Sequence, residues 1–160
     1  MATPPRIQHH ASASPELAAE CGALLRSLPA WFGIPGAIAD YQRSVEGRAC
    51  LEARAGTGEL LGFLHLLRHF PGAAEIHVIA VAEASHRTGL GSALVTAAEQ
   101  LLRADGCRLL QVKTLAAAAK SEPYDRTRAF YLAQGFEPLE VLPELWDAHN
   151  PCLVLVKALG

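Results

Sequence analysis

A β-branched, apolar run, Glu75-Ile76-His77-Val78-Ile79-Ala80-Val81, leads into His86-Arg87-Thr88-Gly89-Leu90-Gly91, and that turn opens the clearest helix in the chain. Leu90, Leu94, Ala97, Leu101 and Ala104 form one helical stripe, and Gly106 stands where a helix C-terminus favours positive φ. A strand apolar enough to be central in a sheet, passing through glycines into a long amphipathic helix, calls for helices packed on a sheet. The junction also has a chemistry of its own. The first N–H groups of a helix have no carbonyl partner within it. The helix dipole adds about half a positive charge at that end, so an anion is favoured there. Glycine matters because a Cβ would hold an anion's oxygens away from the amides. Arg87, and His86 when protonated, add charge-assisted donors. His86, Arg87, Thr88, Gly89, Leu90, Gly91 and Ser92 are therefore the candidate anion-binding residues.

Spacing excludes two other phosphate loops. A dinucleotide fold places G-x-G-x-x-G after its first strand, whereas here G-x-G alone follows at least three strand-like segments. The P-loop signature G-x-x-x-x-G-K-S/T is absent. A glycine-containing strand-to-helix turn that binds nothing is the plain alternative.

Around this junction the pattern predicts a short edge strand over Arg6–Ala11, then a helix opened by Ser14-Pro15 and stopped by Pro29. A second short helix is predicted over Pro35–Val45. Strands follow at Arg48–Arg54 and Glu59–His69, joined by Gly56-Thr57-Gly58, and Phe70-Pro71-Gly72 turns into Ala74–Val81. Beyond the Gly89–Ala104 helix come a strand at Arg108–Leu115 and a helix from Pro123 to Gln134. Two last strands, Phe136–Val141 and Cys152–Lys157, flank a Pro-rich connection. The whole reads as one α/β domain over residues 1–160 with a mixed sheet and about four helices.

Composition narrows the function classes. Fourteen basic against sixteen acidic residues give a net charge of -2 with no long basic run, so nucleic acid is not an expected partner. The greasiest stretch, Leu60–Leu67, is broken by His65 and falls far short of the roughly 20 residues a bilayer span needs. Cys21, Cys50, Cys107 and Cys152 make no CxxC or CxxH pair, and Met1–His10 lacks a signal peptide's apolar core. The cysteines read as buried thiols of a cytoplasmic protein, with a disulfide as the alternative. His65 and His69 alternate onto one strand face without a third ligand, so no metal is expected.

Val78-Ile79-Ala80-Val81 followed by Ser85–Ala93 (SHRTGLGSA) resembles the coenzyme-A signature of the GNAT superfamily of acetyl-CoA-dependent N-acetyltransferases. In that pattern, Gln/Arg-x-x-Gly-x-Gly/Ala, the glycines match Gly89 and Gly91, and His86 stands at the Gln/Arg position. A second block, Ala129-Phe130-Tyr131-Leu132-Ala133-Gln134-Gly135-Phe136, resembles the family's fourth-helix pattern, with Tyr124 where the family usually carries asparagine. The resemblance covers about Arg48 to Lys157. It implies a mixed sheet whose two central parallel strands, Glu75–Val81 and Arg108–Leu115, splay to admit a pantetheine arm. It also implies acetyl-CoA as co-substrate and an amine of a small molecule or peptide as acceptor, and it allows a homodimer through the last strands. Backbone groups of Ile79, Ala80 and Val81 would pair with the pantetheine amides like an added strand.

Acyl transfer to an amine needs the amine uncharged. An alkyl ammonium has a pKa of about 10.4, so a base must take its proton. The resemblance implies Glu75, eleven residues before His86, as that base. His77, on the same strand face by parity, is the runner-up. A thiolate whose conjugate acid has a pKa of about 8.5 leaves more readily when a phenol donates to it, and Tyr131 is the corresponding acid. The competing readings are a salt-bridged strand carboxylate for Glu75, a core aromatic beside Phe130 and Phe136 for Tyr131, and, for the chain, a non-catalytic acyl-CoA-binding or partner-binding module.

Overall fold

The structure, a computed structural model, describes residues 3–160. The reading of Met1–His10 begins on Met1 and Ala2, which lie outside the described residues. Seven strands and four α-helices are found among the described residues, with sheet neighbours in the order β1-β2-β3-β4-β5-β7-β6. In chain order they are β1 (Arg6–His10), α1 (Pro15–Arg26), α2 (Pro35–Val45), β2 (Cys50–Arg54), β3 (Leu60–Phe70), β4 (Ala73–Val81), α3 (Leu90–Ala104), β5 (Leu109–Leu115), α4 (Glu122–Ala133), β6 (Glu137–Asp147) and β7 (Asn150–Ala158). The predicted elements are all present, with ends moved by a residue or two, except the last pair.

The chain divides into two compact units, Met1–Leu67 with His77–Leu101, and Arg68–Ile76 with Leu102–Gly160. In the first, β1 pairs antiparallel with β2, and β2 with β3. Ser14 caps α1, its Oγ accepting from the Leu17 N–H at 3.1 Å, with Pro15 in the first turn. Leu17, Cys21 and Leu25 from α1 join Ile38 and Val45 from α2, Cys50, Phe63, Val78 and Ala80 in one core. Phe63 is fully buried there, which contributes about 2–3 kcal/mol. Gly62 has a packing role: a Cβ built on it would lie 3.1 Å from the Ala80 carbonyl oxygen.

In the second unit, Ala73–Ile76 of β4 runs parallel to Leu109–Val112 of β5, with Glu75 opposite Gln111. β4 itself continues to Val81 and β5 to Leu115. β5 pairs antiparallel with β7 along its whole length, and β7 with β6. α4 ends at Ala133 with Gly135 just beyond it at φ +89°, and Lys157 Nζ donates to the Gln134 carbonyl at 2.6 Å, satisfying a helix-terminal acceptor.

The expected Pro-rich connection is a correction. Both strands run through it: β6 reaches Asp147 and β7 starts at Asn150. Pro138 and Pro143 are accommodated because β6 is the edge strand, where a missing N–H need not break a ladder. Asp147 organises the turn, its carboxylate accepting from the His149 N–H at 2.8 Å and from Asn150 Nδ2. Those hydrogen bonds, the Asn150 side chain first, hold its carboxyl below the usual range.

Candidate functional site

In the first unit, β4 passes through a short 3-10 turn at Glu83–Ser85 before His86–Gly89 lead into α3. Three local contacts fix this passage. Ser85 N–H donates to the Ala82 carbonyl at 2.8 Å, His86 N–H to the Glu83 carbonyl at 3.0 Å, and Thr88 Oγ1 to the Ser85 carbonyl at 2.7 Å. Arg87 and Gly89 both take positive φ, +61° and +85°. A non-glycine residue in that region carries a cost of about 1 kcal/mol, and such residues gather at working turns. Arg87, Thr88 and Gly89 are exposed, and a Cβ built on Gly89 would meet nothing within 4 Å. The turn is thus exposed at a helix N-terminus, beside an arginine, which fits an anion.

His86 turns its ring back onto the end of β4. Its Nε2 lies 2.7 Å from the Val81 carbonyl, which can only accept, so Nε2 carries a proton and donates back to β4. The ring stacks edge-on against Trp31 with centroids 5.5 Å apart. His86 therefore staples the turn to the end of the strand, and Val81 gives its carbonyl to that staple. Ile79 and Ala80 lie in the same stretch of β4, half-buried and buried respectively.

His77 is half-buried, its ring 5.2 Å from Tyr41 and 5.6 Å from His65. His65 is a structural histidine. Its Nδ1 donates to the Ala49 carbonyl at 2.8 Å, and Nε2 lies 2.8 Å from the Ser44 hydroxyl, so both ring nitrogens have partners. Among the described residues no group of three or more His, Cys, Asp or Glu is placed to hold a metal ion.

In the second unit, Glu75 is buried on β4 and ion-paired. Lys113 Nζ on β5 donates to Oε1 at 2.8 Å and to Oε2 at 3.0 Å, and His69 Nε2 at the end of β3 lies 3.4 Å from Oε2. Lys113 follows from the register: Gln111 faces Glu75, and two residues on the strand returns to the same face. Cys152 on β7 shares this neighbourhood; burial pushes its thiol up, the Lys113 ammonium opposes that and the Glu75 carboxylate adds to it. The sequence reading gave Lys113 and His69 no catalytic part. Neither lies in a recognisable pattern, and only the strand pairing brings them to Glu75.

Tyr131 is buried on α4, edge-on to Phe130 at 5.4 Å and to Phe136 at 5.6 Å. All four cysteines are free thiols and buried. No helix among the described residues is long and apolar enough to cross a membrane.

The model of the acetyltransferase (GNAT) family matches residues 21–136. Among solved structures, a protein from Desulfovibrio desulfuricans assigned to the GNAT acetyltransferases superposes with a TM-score of 0.82 at 21% identity, covering 97% of this chain and 100% of its own. An aminoglycoside 6'-N-acetyltransferase complexed with coenzyme A gives 0.75 at 17% identity, covering 97% of both chains. The aminoglycoside 6'-N-acetyltransferase from Enterococcus faecium gives 0.73 at 19%, again with 97% of both. At such identities the likeness is one of fold. No curated protein sequence matches the chain.

Proposed function

This chain belongs to the GNAT acetyltransferase family, which makes it an acyltransferase, and we propose that it moves an acetyl group from acetyl-CoA to a primary amine of a small molecule or peptide, by direct attack in a ternary complex. The observation that carries the reading is the turn before α3: an exposed backbone at a helix N-terminus, two positive φ angles, an arginine and a histidine staple, in the family's glycine spacing. Acetyl-CoA, when bound, supplies a thioester carbonyl for the amine to attack.

The chain's residues divide the remaining work. The amides of the turn from Arg87 to Ser92 hold the diphosphate, with Arg87 adding charge. Ile79, Ala80 and Val81 offer backbone to the pantetheine arm. Glu75 takes the proton from the ammonium. A carboxylate has about four lone-pair sites; Lys113 engages one on each oxygen, which leaves one on each for an incoming N–H, and His69 Nε2 stands 3.4 Å from Oε2. Tyr131 Oη donates its proton to the departing sulfur.

The Glu75–Lys113 pair is also what a non-catalytic module would retain, and one comparison separates the two. Glu75→Gln and Tyr131→Phe are expected to bind coenzyme A with unchanged affinity by calorimetry. Their thiol release from acetyl-CoA is expected to fall by about 10²–10⁴, assayed with kanamycin, spermidine, phenethylamine and a short peptide as acceptors. Wild-type protein that bound no coenzyme A at hundred-micromolar concentration would sink the proposal outright.

A further inference from the structure

We infer that His69 is the proton exit of the site, a relay that returns to solvent each proton Glu75 takes from the acceptor amine; this rests on the reading of Glu75 as the base. A base that turns over must be emptied once per cycle. The Glu75 side chain is 5% exposed, so it has almost no surface of its own from which to lose a proton. The charged and titratable groups that face it come from three strands: Lys113 on β5, His69 on β3 and, as a neutral buried thiol, Cys152 on β7. Lys113 is an ammonium with donors only, so it cannot accept. The thiol of Cys152 is fully buried and leads nowhere. His69 differs in both respects. Its Nε2 is 3.4 Å from Glu75 Oε2, and its side chain is 41% exposed. An imidazole gives and takes protons near neutral pH.

The step balances without a co-reactant. With His69 in the Nδ1–H tautomer, Glu75 takes the amine's proton on Oε2; that Oε2–H bond then breaks and an Nε2–H bond forms on His69. The imidazolium then loses Nδ1–H to water, and exchange with solvent restores the starting tautomer. No electrons change hands, and one proton moves from amine nitrogen to bulk. Lys113 holds the carboxylate by both oxygens. Its two hydrogen bonds, at 2.8 and 3.0 Å, leave Oε2 beside the histidine. Because His69 acts through Glu75, it is a positioning and relay residue and touches no reacting atom.

His69→Gln tests this in the full chain, with the same four acceptors. The expected result is a kcat lowered about tenfold with KM unchanged, and recovery on adding imidazole, which replaces the missing carrier. Wild-type turnover is expected to be insensitive to imidazole. Since the side chain is largely at the surface, the variant should melt within a degree or two of wild type. A variant as fast as wild type overturns the relay, and so does a slow variant that imidazole does not rescue, because a merely structural role would behave that way. Glu75→Gln is run alongside: if it turns over normally, the base reading itself has failed and the relay with it. If Glu75→Gln is dead while His69→Gln is unaffected, only the relay has. Failure of all four amines with wild-type protein overturns the acyl-transfer reading on which both depend.

Discussion

At the turn before α3 the groups on offer are backbone amides, and the side chains of Arg87 and Thr88 stand in solvent. Around Glu75 the groups are side chains, drawn from β3, β4 and β5 onto one buried carboxylate. The two regions should therefore fail in different ways. A backbone site tolerates changes of side chain and is intolerant of changes in φ. A buried ionic cluster tolerates changes of backbone register poorly, and loses most when a single charge is removed, because the partner is left uncompensated.

The largest effect on stability is expected at Lys113. Lys113→Met takes the cation from a carboxylate whose own side chain is 5% exposed. The expected loss is about 2–3 kcal/mol, toward the low end for a broken buried pair because the lysine head is partly solvated. For a chain of this size that is roughly 5–10 °C in melting temperature. Arg87→Met, at the other region, is expected to melt within about 0.5 kcal/mol of wild type, as an exposed substitution does. Equal melting of the two variants would break the contrast, and would mean that charge pairing does not hold the cluster together.

The next effect belongs to the backbone site. Gly89 sits at φ +85° with open space around it, so Gly89→Val causes no collision and acts only through the dihedral. A β-branched residue there costs about 1–2 kcal/mol, which the turn relieves by changing shape. The expected readout is an affinity for coenzyme A weakened about tenfold, corresponding to about 1.4 kcal/mol, measured by calorimetry. Undiminished affinity in this variant would remove the amides of residues 87–92 from the binding site.

How far each region could be read in advance follows from the same contrast. The turn is local. Strand, glycines and helical stripe occupy one stretch, Glu75–Ala104, and each signal is carried by neighbours in sequence, so its conformation and its candidate residues were legible together. Even there a side-chain detail escaped. His86 bends back to the Val81 carbonyl while Trp31, far off in sequence, packs against its ring. The cluster is non-local. Glu75 and Lys113 meet because β4 runs parallel to β5 with Glu75 opposite Gln111, and a shift of one residue would turn Lys113 to the other face. Nothing in either strand's composition states that register. The same cause hid the β6–β7 hairpin: prolines at 138 and 143 read as a connection until β6 is known to be the edge.

A second buried carboxylate shows whether ionic clusters of this kind behave alike. Glu52 on β2 accepts from His10 Nε2 at 3.0 Å and from Arg54 Nε at 2.8 Å, and Arg54 also reaches Glu20 through both terminal nitrogens. Burial pushes the Glu52 carboxyl up, but the hydrogen bonds from Arg54 and His10 outweigh it and bring it below 4.5. The depressed folded value fixes the sign. The pair's contribution is fully present above the unfolded carboxyl range and is lost as pH falls through the lower folded value. Between pH 6 and pH 3 wild type should lose melting temperature more steeply than Glu52→Gln, which has no carboxylate to protonate. The difference is expected to be the smallest of the three, since His10 and Arg54 are each partly solvated and Arg54 retains Glu20 when Glu52 is neutralised. Parallel curves would place Glu52 among surface-like ion pairs.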